Sequence, residues 1–348
     1  MLNRFIYNNA LIAMEEKNRF KPDPELKLMD QVHQVLQHYD YSYNTEKIYS
    51  TWIIKFIQYF NSHTYSPDME NREINVFLDH LKKEKTASPA TRKQALNALT
   101  FLYQRVLNQK VPDSVKPAHI KKNQSLPMVL TQEEILKIFS FMKKRHLLMA
   151  QLIYGCGLRL KECLRLRIQD LNFGDNKIHI RSLKNSKARF IMLPVSLRDQ
   201  LIELKERVRE LHKNDLRLGY GLIDLPETMS VKSKTAVNSF GYQYLFSAGK
   251  TSKDPRSGII RRHHVQESGL QKAVRRAGKR ADIKKKVTCL ILRNSFAVHM
   301  LENGVDIRNL QKLMGHSNLN TTKVFLKVMK KDPPLIISPL DILLKQTL

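Results

Sequence analysis

Only three cysteines, Cys156, Cys163 and Cys289, occur in 348 residues, and they stand far apart. That number and spacing fit neither a disulfide framework nor a zinc site, and a reducing cytoplasm is the expected home. Long apolar runs are also missing. No stretch reaches 18 apolar residues, and the opening MLNRFIYNNALIAMEEKNRF has too short an apolar segment for a secretory core. The chain is therefore expected neither to span nor to cross a membrane. There are no internal repeats. Acidic residues are scarce, with 32 Asp and Glu against 60 Lys and Arg, which leaves a formal charge of +28.

Such an excess of positive charge points to a polyanion, since basic surface neutralises phosphates and releases their condensed counterions. The densest stretch is 250–286, where 13 basic residues face 3 acidic ones. A solvated helix and loop face is the alternative reading of that stretch.

The apolar spacing predicts a mainly α chain in two parts. Residues 1–25 read as an extension, and 26–108 as a four-helix domain. Its helices start near Leu28, run over Thr45–Phe60 and Arg72–Lys83, and resume from the cap Ser88-Pro89 to about Leu107. Residues 109–127 carry prolines and lysines without periodicity and read as a linker. Over 128–328, Thr131 and Glu134 form a capping box for a helix to about Lys144. An all-round apolar helix follows at Leu147–Tyr154, then another at about Leu160–Arg167. The β-like runs Lys177–Ser182 and Arg189–Leu193 flank a polar turn and predict an antiparallel hairpin. A helix is expected at Ser196–His212, an insertion around 213–260, and further helices from Glu267. The tail 329–348 is apolar enough to pack either on a neighbouring protomer or back on its own core.

Four stations carry chemistry. Gly-Cys-Gly-Leu-Arg159-Leu-Lys-Glu162 puts an arginine at the start of a helix behind a glycine turn, a place suited to an oxyanion and equally to a cap or salt bridge. Lys184 and Lys187 lie on the hairpin's turn, where an ammonium could meet a phosphate or simply keep the turn solvated. Leu292-Arg293-Asn294 opens a helix with a second arginine. Last comes Leu-Met-Gly315-His316, followed by Thr321-Thr322-Lys-Val-Phe325.

Together these resemble the tyrosine recombinases: lambda-type integrases, Xer recombinases and integron integrases. The family pattern is GLRxxE, a hairpin lysine, His-x-Leu-Arg and Leu-Gly-His, with a nucleophilic tyrosine nine residues after that last histidine. The resemblance covers nearly the whole chain and implies a SAM-like core-binding domain followed by an α-rich catalytic domain with a small antiparallel sheet. It narrows toward integron integrases through Asp215-Leu, Gly219-Tyr220-Gly221, Leu225-Pro226 and Arg261-Arg262-His263-His264.

The resemblance implies strand exchange on DNA through a 3′-phosphotyrosyl bond, with no metal and no other cofactor. Arg159 and Arg293 would hold the scissile phosphate, Lys184 would act as general acid, His316 would hydrogen-bond the phosphate, and Glu162 would brace Arg159. It also implies double-stranded attachment sites and folded single-stranded sites as partners, a tetramer on DNA, and a bacterial, nucleoid-associated location. Lys47, Arg92, Lys93, Lys121 and Lys122 are candidates for phosphate contact, or ordinary surface charge. Arg261, Arg262, His263 and His264 are candidates for the single-strand site.

Three positions depart from the family. Leu290 replaces its histidine, Asn294 stands in place of a usual histidine, and Phe325 replaces the tyrosine. Loss of the nucleophile removes the covalent route, so the chain is expected to bind sites without cutting them. An active recombinase borrowing a partner's nucleophile, and a basic non-catalytic nucleic-acid-binding protein, are the competing readings.

Overall fold

The computed structural model describes residues 20–60, 72–83, 86–111, 126–181, 188–223, 238–254 and 257–329. The chain divides into two compact units, 1–123 and 124–348. Each is helical, with small antiparallel sheets in the second.

Among the described residues, the first unit holds four helices: α1 (Leu28–His38), α2 (Tyr43–Tyr59), α3 (Arg72–Lys83) and α4 (Pro89–Phe101). Short polar caps set where they begin. Ser42 accepts a hydrogen bond from the Thr45 amide, and Ser88 accepts one from Thr91 with Pro89 at the first helical position. The apolar stripes meet in one core of Val32, Val35 and Leu36, Ile53 and Phe56, Ile74 and Phe77, and Leu96 and Leu99. Phe56 lies edge-on to Phe77 at 5.4 Å. The apolar spacing predicts that the last of these helices runs unbroken to about Leu107. Instead, Leu102–Val106 widens into a π turn, closed by the Leu107 amide on the Leu102 carbonyl at 3.0 Å.

In the second unit, Thr131 and Glu134 make the predicted capping box, opening α5 (Gln132–Ser140). That helix stops four residues short of Lys144, which has φ 37° and begins α6 (Lys144–Cys156). Next is α7 (Leu160–Leu164), which is shorter than its apolar spacing suggests. The reason is competition for the backbone. Asp170 caps the Arg167 amide, while Leu166 and Ile168 pair their main chain with Leu245 and Gln243, pulling the segment out of helical geometry.

Strands β1 (Leu171–Asn172), β2 (Lys177–Ile180) and β3 (Arg189–Met192) form one antiparallel sheet in that order, with Ile178 opposite Ile191. The sheet leads into α8 (Arg198–Arg217), which extends past the predicted His212 at its C-terminal end. The described part of the expected insertion holds the short ladder β4 (Ser252–Lys253) and β5 (Ile260–Arg261). Helices α9 (Glu267–Arg280), α10 (Cys289–Glu302), α11 (Ile307–Met314) and α12 (Leu319–Lys323) follow, then a 3₁₀ segment, Val324–Val328. Among the described residues no helix is long and apolar enough to cross a membrane. The candidates Lys121, Lys122 and Lys184 and the apolar tail 330–348 lie outside the described residues.

A buried ion pair ties the segment that follows β5 to α8. Arg262 grips Asp215 at the end of α8 through two hydrogen bonds of 2.5 and 2.7 Å, and also donates to the Ala248 and Gly249 carbonyls. Removing one partner strands the other's charge in a poorly solvated place. Asp215→Ala is expected to lower the unfolding free energy by about 3 kcal/mol, with less loss when both members are replaced by apolar residues. Urea denaturation reads both, and an unchanged midpoint in the single variant would contradict the assignment.

Candidate active site

Helix α6 ends on Gly157, whose φ of 62° lies in the left-handed region. The Phe296 ring fills the place where a Cβ would stand. The chain turns at once, and Arg159 becomes the residue capping α7. Its amide donates to Glu162 Oε2 at 2.8 Å and its Nη1 to Glu162 Oε1 at 2.7 Å. Glu162 itself is 4% exposed.

Two more guanidiniums converge on that carboxylate. Arg189, the first residue of β3, forks onto it with Nη1 to Oε1 at 3.0 Å and Nη2 to Oε2 at 2.9 Å. Arg293, in the first turns of α10, places Nη1 3.7 Å from Oε2. The same three arginines cap the C-terminal end of α11. Arg189 Nε donates to the Leu313 carbonyl at 2.8 Å, Arg293 Nη2 to Met314 at 2.6 Å, and Arg159 Nη2 to Gly315 at 2.7 Å. Arg293 Nη1 also donates to the Gly157 carbonyl. Carbonyls at a helix C-terminus lack intrahelical partners and carry partial negative charge, so cations are favoured there.

Gly315 closes α11 at φ 61°, and the amides of Gly315 and His316 return to the Lys312 and Gln311 carbonyls. A Cβ on Gly315 would stand 2.7 Å from Arg189 Nη1. This closure swings His316 into the cluster. Its Nε2 lies 3.3 Å from Arg293 Nη2 and its Nδ1 3.0 Å from Thr322 Oγ1. Because a guanidinium only donates, Nε2 must accept, which leaves the proton on Nδ1 facing the buried Thr322 hydroxyl.

The Phe325 ring is 5% exposed and stacks on the His316 ring at 6.3 Å, while its other side joins an apolar cluster with Phe296, Leu301, Leu310 and Met314. Leu290 is 65% exposed on the first turn of α10. Asn294 is half-buried and donates to the Met128 carbonyl at 3.5 Å.

The electrostatics follow from three cations around one anion. Burial presses the Glu162 carboxyl upward, but hydrogen bonds and charge from Arg189, with hydrogen bonds from Arg159, outweigh it and hold the pKa at about 2. Burial, then Arg293, Arg159 and Arg189, drive His316 down to about 4, so its ring is neutral at physiological pH. Burial and Arg159 also lower Arg293, yet at about 9 it stays cationic. The cluster carries surplus positive charge in a fixed geometry, and Arg159 remains partly open to solvent. Such an arrangement can hold an oxyanion without reorganising.

The structure thus brings Arg159, Glu162, Arg293 and His316 together. Arg189 and Thr322 join them, and neither stands out in the motifs. Arg189 does leave a signal in the sequence, since strand alternation puts it on the inward face with Ile191, an unusual place for a charge. Thr322 leaves none.

In the first unit, Lys47 and Lys93 are exposed on α2 and α4, and Arg92 is half-buried. Arg261 pairs with Asp254 at 2.5 Å and Arg262 with the buried Asp215, so each already has a carboxylate partner. His263 lies 3.9 Å from Asp254, and His264 hydrogen-bonds the Val265 carbonyl. Among the described residues, no three His, Cys, Asp or Glu side chains are grouped to hold a metal ion.

The sequence pattern that defines the phage integrase family matches residues 128–332, and that of the phage integrase N-terminal SAM-like domain matches 28–113. The chain belongs to the phage integrase family. Among members of the family, an integrase/recombinase of Escherichia coli is 37% identical over 322 residues, covering 92% of this chain and 95% of its own. The tyrosine recombinase XerA of Pyrococcus furiosus is 30% identical and covers 83% of this chain and 85% of its own. The family fold recurs in the pre-cleavage complex of the XerH recombinase with its difH substrate, with a TM-score of 0.57 at 21% identity over 86% of this chain and 81% of that one.

The lowered pKa values of His316 and Glu162 are expected to make stability fall in acid. His316 binds a proton near pH 6.5 when unfolded but only near 4 when folded, so its share of stability falls as pH drops through that interval. Glu162 contributes above its ordinary 4.5 and loses its share as pH falls toward 2. Urea midpoints are therefore expected to fall below pH 6.5, with a shallower slope between 6.5 and 4.5 in His316→Asn. Nitrogen-15 NMR should find the His316 ring neutral at pH 5.5, and a protonated ring there would contradict the assignment.

Proposed function

We propose that this chain binds recombination-site DNA and holds a phosphodiester at Arg159, Arg293 and His316, but has lost cleavage through a 3′-phosphotyrosyl bond. The observation that carries the reading is Phe325. It stands nine residues beyond His316 and stacks on that ring, and a phenyl group has no atom able to attack phosphorus. Leu290 adds to the loss, because an exposed isobutyl group at the family's histidine position can neither give nor take a proton. The cationic cluster fits a phosphate whether or not a bond to it is broken.

The integron type is part of the same proposal. Asp215 and Arg262 come from the two motifs that carry the likeness to integron integrases, and their pairing supports reading those motifs as one unit. Attachment sites, folded single-stranded sites and a tetrameric assembly on DNA belong to this reading.

The test uses a nicked suicide duplex built from DNA that the protein selects out of a random pool. No covalent adduct is expected from the natural chain, and an adduct without added partner would overturn the inactive reading. Phe325→Tyr should form a weak adduct, and Phe325→Tyr with Leu290→His should do so about a hundredfold faster. Binding is tested separately by retardation of folded single strands and random duplex at graded salt. Replacing Lys47, Arg92 and Lys93 by alanine should weaken both and reduce the slope of log affinity against log salt by about 0.9 for each phosphate no longer neutralised. An unchanged slope would remove those residues from the interface.

A further inference from the structure

We infer that Arg189 is a positioning residue of the phosphate site, acting on Arg159 and Arg293 through Glu162 and through the C-terminal carbonyls of α11. The inference rests on the reading of Arg159 and Arg293 as phosphate holders.

Arg189 has no free donor face of its own toward solvent. Its side chain is almost wholly buried, and Nε, Nη1 and Nη2 are committed to Leu313 and to both Glu162 oxygens. It therefore does not touch a bound phosphate. What it does is fix the groups that would. Glu162 Oε1 is shared between Arg189 Nη1 and Arg159 Nη1, so the fork from β3 sets the direction in which Glu162 offers its lone pairs to Arg159. The Leu313 contact fixes the end of α11, whose next two carbonyls anchor Arg293 and Arg159 and whose closure presents His316. A strand, a helix N-terminus and a helix C-terminus are thus held in register by one guanidinium.

A merely structural arginine and a positioning one differ in what their loss does to Glu162. The groups facing that carboxylate are Arg159 from α7, Arg189 from β3 and Arg293 from α10, with His316 and the Cys163 thiol as further titratable neighbours. Between pH 5 and 8 His316 and Cys163 both stay neutral, because burial lowers the one to about 4 and raises the other. Without Arg189, burial loses its strongest opponent at Glu162, so the carboxyl's pKa rises and it takes up a proton at higher pH than in the natural chain. A protonated Glu162 releases Arg159.

The probe is sulfate, a dianion throughout this range, titrated into the nitrogen-15-labelled full chain while the His316 ring signals are followed. The natural chain should show the same affinity from pH 5 to 8. Arg189→Ala, which loses the fork, the charge and the Leu313 contact together, should bind several-fold more weakly at pH 8 and about a further tenfold more weakly by pH 5. Adding Glu162→Gln to it should abolish that pH dependence. Arg189→Lys keeps the charge but not the fork, and should bind several-fold more weakly at every pH. That variant decides the matter if Arg189→Ala does not fold. Affinity equal to the natural chain's at every pH in either folded variant, or a uniform loss in Arg189→Ala, would overturn the inference. Arg159→Ala and Arg293→Ala should abolish the sulfate response at His316. If they do not, or if the natural chain gives no response, the phosphate reading itself falls and Arg189 with it.

Discussion

A single carboxylate, Glu162, organises the second unit's functional face. Three guanidiniums of like charge would repel one another if left alone, and each needs its donors satisfied when withdrawn from water. Glu162 supplies the counter-charge, and the open end of α11 supplies three consecutive carbonyls, one for each arginine. The remaining geometry follows from that constraint. Helix α7 must begin at Arg159, β3 must start at Arg189, α10 must point Arg293 inward, and α11 must close on a residue without a side chain.

Much of this is legible from the chain itself. Caps at Ser42, Ser88 and Thr131 mark helix starts because a side-chain oxygen near an unpaired amide is a local property. Apolar periodicity finds the helices of the first unit for the same reason. What is not legible depends on distant partners. The early end of α7 is decided by main-chain pairing with Gln243 and Leu245, far along the chain, and nothing in its own spacing signals this.

The site divides along the same line. Arg159, Arg293 and His316 can be named from ordered motifs, whereas the role of Glu162 as a meeting point for three arginines emerges only when separate elements are assembled. Arg261 and Arg262 show another feature that depends on distant partners. Two adjacent arginines in a basic stretch invite assignment to a nucleic-acid surface, and their pairing with Asp254 and Asp215 is something the stretch itself does not display. Local charge density does not say which way a side chain is neutralised, and only the position of the acids decides it.

Phe325 sits outside the carboxylate network, between the His316 ring and a small apolar cluster. The arginines do not lean on it. A hydroxyl can therefore disappear from that ring without disturbing any charge or cap that holds the fold, while no comparable freedom exists at Glu162 or Gly315. Chemistry and architecture are mutationally uncoupled at this one point. With or without a hydroxyl on that ring, the guanidiniums, their carboxylate and the closed end of α11 keep the same partners.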